Sequence, residues 1–177
     1  AEQRDILSTA VYSPKRIECH SGDMKHLTYK DSCEYFSKNI SVAVLGDSHT
    51  VELSYALAEE LQKKDIGIKH LSKSGCVPIF GIYRSKNDFS KIPSFESCKL
   101  WTSQAVQGII NDERIKTVVI SYRIAYALYG YHHKYYPKIV DERGEVGRQK
   151  LWNSLRNILE TLEKSGKRTI FVLQAPE

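Results

Sequence analysis

The sequence predicts a single α/β domain, built as a three-layer α/β/α sandwich around a central parallel sheet. Short apolar runs rich in β-branched residues alternate along the chain with amphipathic segments of helical period. Strands that alternate with helices in this way form right-handed crossovers and a parallel sheet covered on both faces. A length of 177 residues with 41% hydrophobic residues fits one domain with one core. We expect a lead-in segment over residues 1–38 and the main domain over residues 39–177.

The first strand and helix of the main domain flank a tight turn. The run from Ile40 to Leu45 is short and apolar and ends at Gly46, which favours a buried strand. The turn 47–50, with the letters DSHT, follows directly. An amphipathic helix is predicted next, because charged residues separate the apolar positions Val51, Leu53, Tyr55, Ala56, Leu57 and Leu61.

The remaining elements repeat this alternation. We predict strands near residues 66–71, 117–122 and 169–173, and helices over residues 101–111 and 151–162. The last helix is followed by Gly166, as expected for a C-terminal cap. The aromatic and basic segment 123–137 is interpreted as a long connection.

The four cysteines form two pairs that are local in sequence, Cys19 with Cys33 and Cys76 with Cys98. Neither pair has the C-x-x-C spacing of a zinc site, and each spans a stretch that a disulfide could close. Disulfides persist in oxidising compartments, so this interpretation favours a secreted or periplasmic domain. The alternative is four reduced thiols in a cytosolic protein.

Charge and hydropathy argue against two classes of protein. The net charge of +5 is mild and the lysines are scattered, so no footprint for nucleic acid is evident. No stretch approaches the roughly 18–20 apolar residues that cross a bilayer. The first residues, AEQRDILSTA, lack the basic and apolar regions of a signal peptide. We expect a processed product or an excised domain.

Ser48 is the candidate nucleophile because of its position in the sequence. Ligands of α/β sheets bind at the carboxyl ends of the strands, and Ser48 follows the first strand closely. Backbone N–H groups at the start of a helix can stabilise an oxyanion, which acyl transfer through a serine ester requires. The alternative makes Ser48 or Thr50 a helix N-cap, with Asp47 near the positive end of the helix dipole.

The residues Gly-Asp-Ser-His at 46–49, between a buried strand and an amphipathic helix, resemble the first block of the SGNH (GDSL-like) esterase and acyltransferase superfamily. The GDSH form resembles the SGNH domains fused to acyltransferase-3 membrane proteins that acetylate bacterial surface glycans. The resemblance runs from about Cys19 to Glu177 and includes the letters SGCVP at 74–78. It implies an SGNH-like fold, with Ser48 as nucleophile and the N–H groups of Ser48 and Gly75 in the oxyanion hole. The alternative makes Gly75 a turn glycine beside a structural disulfide.

One block of the superfamily pattern is altered. Where the superfamily places an Asn donor after a strand, this chain reads Ser121, Tyr122 and Arg123. Arg123 can supply a cationic donor instead, and the alternative is an arginine in a salt bridge at the strand end. Asp47 and His49 are expected to shape the site: adjacent side chains at a helix start diverge, so His49 is not expected to take the proton of the nucleophile. The alternative makes His49 a capping or packing residue.

The acid and base of the triad have no counterpart at the expected place. Family members carry them in an Asp-x-x-His sequence near the C-terminus, after a further helix. We therefore expect a catalytic Asp and His beyond Glu177, a C-terminally truncated domain, and little activity of this fragment. The match at Asp23 and His26 precedes the first strand, out of family order, and is interpreted as fortuitous; the alternative is a catalytic role, since a triad is defined by spatial arrangement rather than by chain order.

Aromatic and basic residues cluster after the strand at 117–122, and we interpret their segment as a substrate or partner surface. The alternative is that single tyrosines pack the connection against the core. His132 and His133 are adjacent in sequence, and adjacent histidines rarely bind the same ion, so we predict no metal. The cluster comprises Tyr122, Arg123, Tyr126, Tyr129, Tyr131, His132, His133, Lys134, Tyr135, Tyr136 and Lys138.

The resemblance implies the extracytoplasmic, periplasmic domain of an O-acetyltransferase, tethered to the inner membrane in the full-length protein. It would move an acetyl group through Ser48 onto a surface polysaccharide, such as a lipopolysaccharide O-antigen, or onto a lipid-linked glycan. The implied partner is an acyltransferase-3 transmembrane domain, in the same polypeptide or separate, that delivers acetyl groups from acetyl-CoA. No bound cofactor is expected. The alternatives are an SGNH carbohydrate or lipid esterase and a non-catalytic glycan- or partner-binding module.

Overall fold

Strands and helices alternate along the chain in the computed structural model, which describes residues 12–22, 25–80, 95–130 and 144–173. No helix in these ranges combines the length and the apolar character needed to cross a bilayer. The elements, in chain order, are α1 (Arg16–Cys19), β1 (Glu34–Tyr35), β2 (Ile40–Gly46), α2 (Thr50–Gln62), β3 (Gly67–Ser72), α3 (Phe95–Asn111), β4 (Thr117–Ser121), α4 (Ile124–Tyr129), α5 (Gly144–Lys164) and β5 (Arg168–Val172).

The sheet has five strands in the order β1-β3-β2-β4-β5. The central strand β2 is parallel to β3 and β4, and β5 is parallel to β4. Nearly every residue of β2 is buried, as expected for a strand covered on both faces. The predicted α/β class with a mostly parallel sheet is confirmed. The antiparallel edge strand β1, which pairs with β3, was not predicted.

Helices cover both faces of the sheet. On one face, Ala43 and Leu45 of β2 belong to an apolar cluster that includes buried residues of α3 and α5. On the other face, Val42 and Val44 pack in a cluster with Ala58 of α2. Alternate residues of β2 therefore serve opposite layers, which gives the three-layer architecture. Burial of this apolar surface is the largest favourable contribution to folding.

The predicted strands agree with the observed ones to within one residue at each end. The last helix ends as expected, because Gly166 follows α5 with a φ of +82°. The interpretation of 123–137 as a plain connection is wrong at its start, where α4 forms. Residues 131–137 of that segment lie outside the described ranges.

Both predicted disulfides are formed, Cys19–Cys33 and Cys76–Cys98. The first disulfide fixes a lead-in that also contacts the sheet, since Ser21 makes a parallel bridge to Lys73 after β3. The lead-in contacts the first turn of α2 as well, where the Arg16 guanidinium lies 2.5 Å from the Glu52 carboxylate. The part of the lead-in from Arg16 to Ser21 thus lies at the carboxyl ends of the strands. The division at residue 38 stays a prediction.

Candidate functional site

Three neighbouring strands end together at one edge of the sheet. Gly46, the last residue of β2, is in register with Ser72 of β3 and with Ser121 of β4. The predicted site residues Ser48, Gly75 and Arg123 follow these three ends, so all three lie on the side of the sheet where ligands of α/β domains bind. The turn after β2 lies between the other two.

Position 46 requires glycine because the neighbouring atoms leave no room for a side chain. A Cβ atom at this position would lie 1.7 Å from the carbonyl oxygen of Ser121 and 2.0 Å from Oγ1 of Thr50. The Thr50 hydroxyl donates a hydrogen bond of 2.6 Å to that same carbonyl. The turn after β2 is therefore held closely against the end of β4.

Asp47 connects two of the turns at this edge. Its side chain is buried, and its Oδ1 accepts a hydrogen bond from the N–H of His49 at 2.9 Å. Its Oδ2 accepts one from the N–H of Arg123 at 2.7 Å. The exposed ring of His49 lies beside the same carboxylate, with Nδ1 3.5 Å from Oδ1. Asp47 therefore fixes the position of Ser48 relative to the end of β4.

Ser48 lies in the middle of this turn and is partly buried. Neither its hydroxyl nor its backbone N–H makes a hydrogen bond to any residue in the described ranges. The N-cap alternative is wrong, because α2 begins at Thr50 and its N-cap residue, His49, makes no side-chain cap hydrogen bond. Folding therefore leaves the hydroxyl of Ser48 unused, while the residues around it are engaged.

Gly75 lies in an exposed loop after β3 and has a φ of +61°. Nothing lies within 4 Å of the place where its Cβ would be, so backbone conformation rather than crowding requires glycine here. The flanking N–H groups are engaged: that of Ser74 donates to Ser21 at 2.8 Å and that of Cys76 to Lys73 at 3.3 Å. The N–H of Gly75 has no partner among the described residues.

Arg123 and the nearby tyrosines have different environments. The Arg123 side chain is partly buried, and its guanidinium carbon lies 5.7 Å from the ring centroid of Tyr126. Tyr122 belongs to the hydrophobic core, where burial raises the pKa of its phenol and the charge of Asp47 acts in the same direction. Including Tyr122 in a binding surface was therefore wrong. The cluster members Tyr131, His132, His133, Lys134, Tyr135, Tyr136 and Lys138 lie outside the described residues.

The remaining sequence predictions concern the lead-in and metals. His26 is exposed, and Asp23 lies outside the described residues, so the Asp-x-x-His match there is not tested. Within the described ranges, one group of potential metal ligands lies close together, Glu18 with Cys19 and Cys33. Both sulfur atoms of that group belong to a disulfide, so they are not available as thiolates. The absence of a metal stays a prediction.

His20, to which no sequence pattern assigns a role, also lies at this edge of the sheet. Its Nδ1 is 2.8 Å from Oγ of Ser72, the last residue of β3. The two residues are 52 positions apart in the sequence, and apart from the preceding Cys19 no neighbouring residue marks His20 as part of a motif. Nothing in the linear sequence indicates this contact.

The sequence was compared with curated proteins and with models of protein families, and a family model matches it. No curated protein matches the sequence. The family model described as "SGNH domain (fused to AT3 domains)" matches residues 18–177, which is most of the chain. This match indicates a hydrolase- or acyltransferase-like domain and an acyltransferase-3 partner domain, and with the two disulfides it indicates an extracytoplasmic setting. The chain therefore belongs to the family of SGNH domains that are fused to AT3 domains.

Proposed function

We propose that this domain transfers an acetyl group, through an ester on Ser48, to a hydroxyl of a bacterial surface polysaccharide. One observation carries the proposal: the Ser48 hydroxyl and the N–H groups of Ser48 and Gly75 are unengaged within the described residues, at the edge where three strands end. Neither N–H group has a partner among the described residues, and neither residue is fully buried, so both groups are available to a bound acyl carbonyl. They fit an oxyanion hole.

The first half-reaction forms the acyl-enzyme. Oγ of Ser48 attacks the acyl carbonyl of the donor and its proton passes to a base, for which the resemblance implies a histidine oriented by an aspartate. The carbonyl oxygen gains negative charge and accepts hydrogen bonds from the N–H groups of Ser48 and Gly75. Collapse of this intermediate expels the leaving group, which takes the proton. Arg123 supplies positive charge near the end of β4.

The second half-reaction transfers the acyl group. A sugar hydroxyl attacks the Ser48 ester, gives its proton to the same base and becomes the acetyl ester, and the departing Ser48 oxygen takes that proton back. The family match supports an acyltransferase-3 domain as partner. In this proposal that membrane domain delivers the acetyl group from cytoplasmic acetyl-CoA, and this domain is its extracytoplasmic acceptor.

Active-site labelling tests the nucleophile. In the full-length protein, a fluorophosphonate should label the wild-type chain, and Ser48→Ala should abolish labelling of this domain. Ser74→Ala is the matched control, since Ser74 is an exposed serine in the neighbouring loop and should leave labelling unchanged. Absence of labelling in the wild-type protein would contradict the proposal and favour a glycan- or partner-binding module.

Product analysis separates transfer from hydrolysis. Both reactions share the acyl-enzyme, and they differ in whether a sugar hydroxyl or water attacks it. Mass spectrometry of the acceptor glycan, together with an assay of free acetate, should show the acetyl ester as the main product. Free acetate alone would identify an esterase.

A further inference from the structure

The lead-in brings a histidine to the edge of the sheet that carries Ser48. His20 follows Cys19, which the disulfide to Cys33 holds in place. The next residue, Ser21, forms a short ladder with the end of β3, since its N–H donates to Ser72 at 3.0 Å and its carbonyl accepts from Ser74 at 2.8 Å. His20 is therefore fixed on one side by the disulfide and on the other by backbone hydrogen bonds.

The imidazole of His20 has one engaged and one open nitrogen. Nδ1 lies 2.8 Å from the hydroxyl of Ser72, which is in register with Gly46 at the start of the Ser48 turn. Nε2 has no hydrogen-bond partner among the described residues, and it is not one of their buried unpartnered atoms. The ring is thus oriented by Ser72, and its second nitrogen retains accessible surface.

The surroundings of His20 lower its pKa and so favour the neutral ring. Burial has the largest effect and lowers its pKa, and the positive charges of Arg16 and Lys73 act in the same direction. Asp47 and Glu52 oppose them, which places His20 within electrostatic reach of the carboxylate beside Ser48. A neutral imidazole offers one donor and one acceptor nitrogen.

Such a ring is suited to hydrogen bonding rather than to proton transfer from the nucleophile. A histidine that acts as the base in acyl transfer is oriented by a carboxylate, which stabilises the imidazolium. The partner of His20 is a neutral hydroxyl, and its surroundings disfavour the charged form. The open Nε2 is therefore available to a neutral polar ligand.

We propose that Nε2 of His20 hydrogen-bonds a hydroxyl group of the acyl acceptor beside Ser48. This inference rests on the proposed function. In it, His20 of the lead-in lines one side of the site that binds the acyl acceptor. His20 contacts the acceptor, Ser72 positions the ring, and the serine ester forms without either.

Two substitutions separate this role from a structural one. His20→Asn keeps a polar group near the position of Nδ1, so it can retain the bond to Ser72, but it removes Nε2. His20→Gln places its amide near Nε2 and loses the bond to Ser72. His26→Asn is the control, because His26 is an exposed histidine of the same lead-in.

The probes are 4-nitrophenyl acetate as acyl donor and methyl glucoside, galactoside, mannoside and rhamnoside as acceptors, with the full-length protein. We expect His20→Asn to raise the KM for the glycoside about three- to tenfold, the effect of one hydrogen bond, and to shift the product from acetyl glycoside towards acetate. His20→Gln should restore part of this loss. An unchanged partition between acetyl glycoside and acetate in His20→Asn would overturn the proposal.

A binding measurement makes the test independent of turnover. In protein labelled with 15N-histidine, the ring resonances of His20, assigned with His20→Asn, should shift on addition of a glycoside, and those of His26 should not. Absence of a His20 shift with every glycoside would overturn the proposal, even if Ser48 reacts with a fluorophosphonate. Failure of that labelling reaction would instead contradict the nucleophile, and the His20 shift would still be readable.

Discussion

At the scale of single residues, the two glycines of the site are required for opposite reasons. Gly46 is enclosed by backbone, with the Ser121 carbonyl 1.7 Å from a Cβ position, whereas Gly75 has open space and a left-handed φ of +61°. At position 46 a side chain would clash with neighbouring atoms, whereas at position 75 it would strain the backbone. A side chain at Gly75 would therefore meet no neighbouring atom within 4 Å and would act through the backbone conformation, which sets the direction of the N–H group.

Gly75→Ala should slow fluorophosphonate labelling of Ser48 about tenfold or more, because the strain of a positive φ reorients the N–H that we assign to the oxyanion hole. Gly166→Ala is the matched control: Gly166 has a φ of +82° and equally open surroundings at the end of α5. Both variants should lose about 1 kcal/mol in urea unfolding. Equal labelling rates in the two variants would remove Gly75 from the oxyanion hole.

Ser48 was indicated by its place after a strand whose hydrophobic pattern is clear, and Gly75 by the family resemblance. The sequence could not indicate the contacts that make the site. The bond from Asp47 to the N–H of Arg123 spans 76 positions, and the contact between His20 and Ser72 depends on where the disulfide places the lead-in. Such contacts follow from the packed fold and leave no local pattern.

At the scale of elements, the strands and helices that were predicted are those long enough to show a hydrophobic period. β1 has two residues and α4 has six, too short for a clear period. β1 nevertheless contributes a buried polar contact, since the Tyr35 hydroxyl lies 2.6 Å from Nδ1 of His70 in β3. Nε2 of His70 is buried and has no partner among the described residues. The β1–β3 pair therefore contains a histidine that resists protonation.

Acid should weaken the fold through His70. Burial, with a smaller effect of His20, lowers the pKa of His70 to about 3. In the unfolded chain a histidine has a pKa of about 6.5, so the unfolded state binds the proton more readily. The stability that depends on neutral His70 is complete above about pH 6.5 and is lost as the pH falls towards 3.

Urea unfolding at pH 7 and pH 5 measures this effect. Between these values His70 should account for a loss of about 2 kcal/mol in the free energy of unfolding. The double variant Tyr35→Phe, His70→Phe should lack that part of the pH dependence, whereas Tyr35→Phe alone retains the histidine and should keep it. An identical pH dependence in the two variants would contradict the assignment to His70.

At the scale of the whole molecule, the two disulfides lie on both sides of the Gly75 loop. Cys76–Cys98 joins that loop to α3, and Cys19–Cys33 holds the lead-in that bonds to Ser74. The chain segments between the paired cysteines do not overlap. Cys76 and Cys98 are 22 positions apart in sequence, and Cys19 and Cys33 are 14 apart. The constraints of the two disulfides on the unfolded chain are therefore independent.

Replacing either pair by alanine should lower the free energy of unfolding by about 3 kcal/mol, from the entropy of loop closure. We choose Cys19→Ala with Cys33→Ala, and Cys76→Ala with Cys98→Ala, because alanine leaves no buried hydroxyl. Urea unfolding of the two double variants and of the quadruple variant should show additive losses to within about 0.5 kcal/mol. A much larger loss in the quadruple variant would show that the disulfides cooperate through the lead-in.

The hydrogen bonds of the Ser48 turn bear on how such domains diverge. Gly46 is kept by the nearness of β4, and Asp47 by two backbone N–H groups, so both would be retained in a descendant that no longer carries out any chemistry. The hydroxyl of Ser48 has no partner in the described ranges, so the fold places no such requirement on it. Under the proposed function, we therefore expect the third letter of the motif to differ between domains that carry out acyl transfer and domains that have lost it.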